Sequence, residues 1–178
     1  MKHALSFASC ALLLSACTAM EPGERTTTEP GEPAVTASVR PASGSRTSGT
    51  VKFTQAASRV RVDAQFSSLT PGLHGFHIHE KGDCSAPDAM SAGGHFNPYG
   101  KKHGAPDAPD SHSGDLGNLT ADASGKATLT LWLDGISVST GKDGVIGRAV
   151  IVHAGPDDLK TDPTGNSGGR VACGVIKL

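Results

Sequence analysis

Residues 59–66, Arg-Val-Arg-Val-Asp-Ala-Gln-Phe, alternate polar and apolar side chains without a break. Successive side chains of a β-strand point to opposite faces, so this pattern predicts a strand with one buried and one solvated face. The same alternation occurs at Thr50–Thr54 and at Lys126–Leu133. These three segments predict an all-β fold.

Further strand candidates run along the rest of the chain, and no helical period of useful length occurs. They are 34–40, 73–79, 116–120, 147–153 and 170–177. Short strands separated by Gly, Pro, Asp and Ser are typical of an antiparallel sandwich or barrel. Glycine makes up 23 of the 178 residues, nearly twice the average share of ~7%, which favours a turn-rich β protein over a helical bundle.

Composition excludes several classes of function. The formal net charge of −1 provides no field to attract nucleic acid or an anionic membrane surface. No run approaches the ~18 apolar residues that a membrane-spanning helix needs. A phosphate loop and a His-Glu-x-x-His motif are both absent from the sequence. Trp132 and Tyr99 are too few for a base-stacking surface, and we place Trp132 in a strand beside the core and Tyr99 in a loop.

The first 33 residues predict an export signal and a tether. A positive start at Lys2, an apolar run and small residues before Cys17 are typical of a secretory signal, which we assign to 1–16. Leu14-Ser15-Ala16-Cys17 resembles the bacterial lipobox, in which the cysteine is lipidated and becomes the new N-terminus; the alternative is an ordinary signal peptide. Residues 17–33 are rich in Pro, Gly, Thr and Glu and predict a flexible tether. The folded domain is then 34–178.

Lipidation at Cys17 predicts an exported protein, anchored by lipid at the periplasmic face or the cell surface of a bacterial membrane. This anchor would be its only membrane contact, and stable attachment needs more than one acyl chain. Thr18 follows the cysteine, where an Asp would have indicated retention at an inner membrane, so we expect the outer membrane.

Two cysteines, Cys84 and Cys173, remain in the predicted domain. In an oxidising compartment such a pair is expected to form a disulfide; the alternative is two free buried thiols. The bond would close a loop of about 90 residues, which the chain-entropy model values at ~4–5 kcal/mol.

The histidines are clustered, and their pattern indicates metal binding. Six of the eight lie between positions 74 and 112. In the strand over 75–79, Phe76 and Ile78 point to the core, so His77 and His79 project from the other face at a spacing that can grip one metal ion. This pair alone is equally consistent with two solvated side chains. The stretch 80–114 that follows has no convincing strand, and loops of that length are usually functional.

Five further candidate ligands lie downstream. They are His95, His103, His112, Asp115 and His153. Seven candidates exceed the four ligands of one tetrahedral site. The simplest arrangement is two sites that share one ligand, and an imidazole can bridge because it has two nitrogens. Ring nitrogens suit copper and zinc, while a carboxylate favours the harder ion, so we predict copper in a four-histidine site and zinc in a site containing Asp115.

Five motifs resemble the copper/zinc superoxide dismutases, in the family's order and with its ligand spacings. They are GLHGFHIHE at 72–80, GGHFNP at 93–98, HG at 103–104, HSGDLGN at 112–118 and GRVACGVI at 169–176. The resemblance covers 34–178. It implies an eight-stranded Greek-key β-barrel, a flattened relative of the immunoglobulin sandwich, that converts superoxide to O2 and hydrogen peroxide.

The resemblance also implies a role for each candidate ligand, with one copper and one zinc ion per subunit. The copper ligands would be His77, His79, His95 and His153. The zinc ligands would be His95, His103, His112 and Asp115. His95 would therefore bridge the two ions and also deliver a proton to the substrate.

Other residues take roles from the same resemblance. Arg170 would attract the superoxide anion, Asp157 would join His77 to His103, and His74 would be structural. Cys84–Cys173 would be the family disulfide. The resemblance leaves the choice between a monomer and a homodimer open.

The segment between His153 and Arg170 has 16 residues, shorter than in the eukaryotic form. Asp157, Asp158 and Asp162 oppose Lys160 alone in it, so the field that guides an anion inward can be weaker and turnover slower.

Two other functions stay open at this stage. One is a superoxide-dismutase-like domain that stores or delivers copper or zinc without catalysis, which we expect to have lost copper ligands or the arginine. The other is a structural surface lipoprotein in which the histidines are incidental.

Overall fold

All eight predicted strands are present, with bounds within two residues of those expected. A computed structural model describes residues 31–106 and 108–178. The strands are β1 (Ala34–Pro41), β2 (Ser48–Ala56), β3 (Arg59–Ser67), β4 (Gly72–His79), β5 (Asp115–Ala121), β6 (Ala127–Leu133), β7 (Ala149–His153) and β8 (Arg170–Lys177). A one-turn 3₁₀ helix, Met90–Ala92, lies in the long β4–β5 connection. Among the described residues no helix is long and apolar enough to cross a membrane.

The strands form a single antiparallel sheet that curls into a nearly closed barrel. Their order is β5-β4-β7-β8-β1-β2-β3-β6. Strands β1, β2 and β3 are neighbours in both sequence and space, whereas β4 lies between β5 and β7. The first and last strands, β1 and β8, pair and join the two parts of the sheet. The predicted eight-stranded β-barrel is confirmed.

The interior of the barrel is built from the alternating positions of the strands. On β3 the four apolar side chains of the repeat are at most 5% exposed. Phe66 meets Phe76 of β4 edge to face, with ring centroids 5.6 Å apart. On β6 Leu133 is buried, while the Trp132 side chain points outward and is 44% exposed. Trp132 therefore lies in a strand as predicted, but on its solvent side.

A disulfide fixes the long β4–β5 connection to the barrel. Cys84 and Cys173 of β8 are bonded, with Cα atoms 5.8 Å apart, and are separated by 89 positions in the sequence. Small apolar residues pack around the bond; they are Ala42, Ala89, Ala92, Ala149 and Ile151. The predicted disulfide is confirmed.

The expectations for the N-terminus fall mainly outside the described residues. The signal over 1–16, the lipidation site Cys17 and the tether up to residue 30 all lie there. Residues 31–33 are exposed and precede β1.

Candidate metal centre

Strand β4 carries the first two candidate ligands and is covered by the long connection. Phe76 and Ile78 are fully buried in the barrel, and His77 and His79 are fully buried on the other face. Two backbone hydrogen bonds join Ile78 to the two arms of the covering loop, Phe96 N to Ile78 O at 2.8 Å and Ile78 N to Gly114 O at 2.8 Å. A third, Gly114 N to Phe96 O at 2.9 Å, joins the two arms to each other. A Cβ on Gly114 would lie 2.3 Å from the Ile78 oxygen, so this close approach requires glycine.

One set of buried imidazoles converges on a common point, and we call it the four-histidine group. Its members are His77, His79, His95 and His153, and their ligand atoms lie within 4.8 Å of one another. One ring nitrogen of each is buried with no hydrogen-bond partner: Nδ1 of His77 and Nε2 of the other three. A buried polar atom left unpaired costs about 1–3 kcal/mol. Four such atoms aimed at one another fit a metal ion that all four would bind.

The opposite nitrogen of three of these rings is held by a fixed acceptor. His77 Nε2 donates to Asp157 Oδ2 at 2.7 Å, His79 Nδ1 to the Gly93 carbonyl at 2.9 Å, and His153 Nδ1 to the Gly168 carbonyl at 3.0 Å. These bonds set which nitrogen carries the proton and turn the other one inward. These hydrogen bonds fix the orientation in which each of the three rings could bind a metal ion.

A second buried set lies beside the first, and we call it the mixed group. Its members are His95, His103, His112 and Asp115. The Nδ1 atoms of the three rings lie 2.9, 3.1 and 3.3 Å from Asp115 Oδ1. The other carboxylate oxygen accepts hydrogen bonds from the backbone N–H groups of Gly104 at 3.0 Å and His112 at 3.1 Å. Three ring nitrogens and one carboxylate oxygen are a ligand set that suits zinc.

His95 belongs to both groups, with Nδ1 in the mixed group and Nε2 in the four-histidine group. One imidazole ring thus separates the two points of convergence. The structure brings all seven predicted ligands together and places the predicted bridge between them.

Asp157 ties the two groups together from behind. Its Oδ2 accepts from His77 Nε2, and its Oδ1 accepts from His103 Nε2 at 2.8 Å. Asn118 clamps its backbone, with Asp157 N donating to Asn118 Oδ1 at 2.8 Å and Asn118 Nδ2 donating to Asp157 O at 2.9 Å. Sequence reasoning assigned no role to Asn118, although it ends one of the five motifs. The predicted contacts of Asp157 with both rings are present.

Burial favours the neutral form of the rings in the four-histidine group, which is the form that binds metal. Burial lowers the pKa of His77 to about 4 and that of His153 to about 3. It also holds the pKa of His79 well below its usual value. Burial alone would raise the pKa of Asp115, but hydrogen bonds from His112 and His95 outweigh it and lower that pKa. Near neutral pH the four-histidine group therefore presents neutral rings, and the mixed group presents a carboxylate. Although burial lowers it, the hydrogen bond to Asp115 and the charge of that carboxylate raise the pKa of His112.

Arg170 opens β8 opposite His153 in the register. Its guanidinium donates from Nη1 to the Ala89 carbonyl at 2.7 Å and from Nη2 to the Gly93 carbonyl at 2.6 Å. The Gly93 oxygen also accepts from His79, so one backbone atom orients both a candidate ligand and the predicted anion-attracting group. A backbone carbonyl leaves no side-chain signature, which is why sequence reasoning missed it.

His74 stands apart from both groups. Its Nδ1 donates to the His153 carbonyl at 2.7 Å, and its Nε2 lies 2.8 Å from the Thr70 carbonyl. With both ring nitrogens occupied by backbone partners, His74 is placed for the structural role that was expected.

An antiparallel barrel with two adjoining buried groups, joined by one imidazole, defines a class of β-barrel proteins whose histidines could hold two metal ions. The family model described as copper/zinc superoxide dismutase (SODC) matches residues 47–176. The chain belongs to this family. Among solved structures it is similar to one titled as a crystal structure analysis of the clock protein EA4, with 42% identity and a TM-score of 0.74 over 83% of this chain and 95% of that one.

We predict that Asp157→Asn weakens zinc binding by about 10- to 100-fold, the usual cost of losing an outer hydrogen-bond partner of a ligand. The amide would turn an N–H group toward one of two ring N–H donors, and that ring would lose its orientation. Competition with a chromophoric chelator measures the affinity. The control is Asp110→Asn, which changes an exposed carboxylate in the same loop as His112. Equal affinity in both variants would contradict the bridging role.

Proposed function

We propose that this chain is an enzyme that converts two superoxide anions and two protons to O2 and hydrogen peroxide. The observation that carries the proposal is the four-histidine group, whose unpaired nitrogens converge next to an arginine. Membership of the copper/zinc superoxide dismutase family supports superoxide as the substrate.

The two groups differ in the ions that they suit. His77, His79, His95 and His153 would hold copper, and His95, His103, His112 and Asp115 would hold zinc. Copper in the all-nitrogen group would supply one-electron transfer, accepting an electron from one superoxide and giving it to the next. The mixed group would hold an ion without redox chemistry, and its task is to fix His95 and the loop that carries His103 and His112.

The side chains bring the anion in and supply a proton. Arg170 keeps its charge at any physiological pH, and its two fixed hydrogen bonds hold it close to His79. A small anion at low concentration reacts at a rate limited by encounter, so a fixed cation at the site raises the rate. The Nε2 atom of His95 faces the same space and can hold a proton for the second superoxide. The other proton comes from solvent.

The two rival functions differ in what they require. A metal-storage relative would tolerate loss of a ligand or of the arginine, whereas all seven ligands and Arg170 are present. A purely structural lipoprotein would not bury seven polar side chains in two convergent groups. The similar solved structure is of a protein described as a clock protein and not as a dismutase. An assay of activity therefore decides between catalysis and storage.

We predict that His153→Ala abolishes dismutation, lowering it to the level of the metal-free chain, because one of four copper ligands is lost. Zinc content serves as the internal control, since His153 is no part of the mixed group and zinc binding should persist. Metal analysis and a superoxide assay on residues 34–178 measure both. If the parent binds both metals but dismutates no superoxide, the storage function is correct.

We also predict that the second-order rate constant falls as ionic strength rises, because salt screens the guanidinium over about 10 Å at 0.1 M. The acidic residues before Arg170 weaken this field, but they do so from fixed positions. Asp157 is bound to two histidines, and the Asp158 carboxylate accepts hydrogen bonds from Thr161 and Asn166.

Arg170→Gln should therefore lower the rate and flatten its salt dependence. Arg46→Gln, at an exposed arginine between β1 and β2, should change neither. A rate independent of salt in the parent chain would remove the guiding role of Arg170.

We further propose that the enzyme is exported and that lipid attached to Cys17 anchors it to an outer membrane. The lipobox-like residues 14–17 support this proposal, and so does the disulfide, which is stable in an oxidising compartment. We predict that Cys17→Ser moves the full-length chain from the membrane fraction to the soluble fraction of a bacterial host. Its superoxide activity should not change. Equal partition of the two proteins would show that Cys17 anchors nothing.

A further inference from the structure

The guanidinium of Arg170 forms hydrogen bonds to both ends of a single turn of backbone. Its two hydrogen bonds reach the Ala89 and Gly93 carbonyls, which flank the 3₁₀ helix Met90–Ala92. We call residues 89–93 the arginine turn. Wherever this turn moves, the guanidinium follows it. The position of the cation over the four-histidine group therefore depends on what holds the turn.

The side chain of Ser91 joins the arginine turn to residues 83–86, which contain the bridged Cys84 and which we call the disulfide loop. Its hydroxyl group donates to the Asp83 carbonyl at 2.9 Å and accepts from Ala86 N–H at 3.1 Å. Asp83 precedes Cys84, and Ala86 follows it by two positions. One half-buried hydroxyl group thus bonds the loop on both sides of the bridged cysteine.

Packing supports the same link. Ala89 and Ala92 are 0% exposed and belong to the cluster around Cys173 and Ile151. Ala89 has a φ of 59°, a left-handed conformation that a residue with a Cβ holds only when its surroundings impose it. The turn therefore packs against the disulfide, and the Ser91 side chain forms hydrogen bonds to the loop that carries Cys84.

We propose that Ser91 is a positioning residue for Arg170, connecting the Cys84–Cys173 disulfide to the cation that binds the anionic substrate. Ser91 acts through the arginine turn and touches no substrate. Without its hydroxyl group the turn keeps one backbone bond to this loop, from Ala89 N–H to the Ala86 carbonyl at 2.8 Å, but loses both side-chain bonds, and the guanidinium samples more positions. The inference rests on the proposed function only for the identity of the anion, since any small anion bound beside Arg170 reports its position.

The test uses azide as the probe, with residues 34–178 loaded with copper and zinc and the disulfide intact. Azide gives a charge-transfer band on copper, so its dissociation constant is measured by titration without turnover. We expect Ser91→Ala to raise that constant about two- to tenfold, the range for one lost hydrogen bond of ordinary strength. The rate constant for superoxide should fall by a similar factor. Metal content should be unchanged.

Two further variants separate positioning from folding. Ser91→Thr retains a hydroxyl group and should bind azide like the parent. Ser85→Ala removes an exposed hydroxyl group from the same loop and should also bind like the parent. Reduction of the disulfide in the parent should raise the azide constant as Ser91→Ala does, and in Ser91→Ala it should add little, because neighbouring parts of one linkage are not additive.

Each outcome has a defined meaning. Equal azide constants for the parent and Ser91→Ala, or equal effects of reduction in both, overturn the inference and leave the proposed function standing. If the loaded parent binds azide but dismutates no superoxide, the proposed function fails, and the azide comparison still decides the role of Ser91.

Discussion

The metal centre depends on one constraint: each imidazole of the four-histidine group is buried, neutral and aimed. Burial alone would leave the rings free to turn, and the hydrogen bond on the far nitrogen stops them. His77 uses the Asp157 carboxylate, whereas His79 and His153 use backbone carbonyls. His95 differs because its far nitrogen faces the mixed group, so its orientation depends on Asp115 and its neighbours. The two groups are thus one construction, and Asp157 joins them a second time through His103.

Burying these polar side chains costs free energy. The strands that carry them have their other face packed in the barrel core, and this packing offsets the cost. Ile78 lies between His77 and His79 and is fully buried in the core, so β4 cannot rotate without exposing it. The backbone of Ile78 also bonds to both arms of the covering loop. The disulfide adds a further constraint, because it fixes Cys84 to β8, the strand that begins with Arg170. Ligands, cover and cation therefore share one rigid support.

Much of the fold and of the candidate site could be predicted from the sequence. The rest could not, for physical reasons. A period of two along residues 59–66 is a direct record of one buried face, so strand positions could be predicted. The ligands could be predicted because metal binding demands particular side chains at particular positions. The Gly93 and Gly168 carbonyls could not, because every residue has a carbonyl and only the path of the chain brings one to a histidine. Trp132 was placed beside the core, although the alternation over 126–133 puts its side chain on the face opposite Leu133.

The position of Arg170 is an electrostatic argument for the proposed catalysis over metal storage. A fixed positive charge repels a metal cation, and its presence disfavours positive charge on His79 and His153, since it lowers the pKa of both. A protein that only stored copper would bind the ion more tightly without this arginine. An enzyme whose substrate is an anion gains from it, because the same field that opposes the metal attracts the substrate. Two hydrogen bonds fix the guanidinium beside the four-histidine group, an arrangement that the proposed anionic substrate would explain and that metal storage would not.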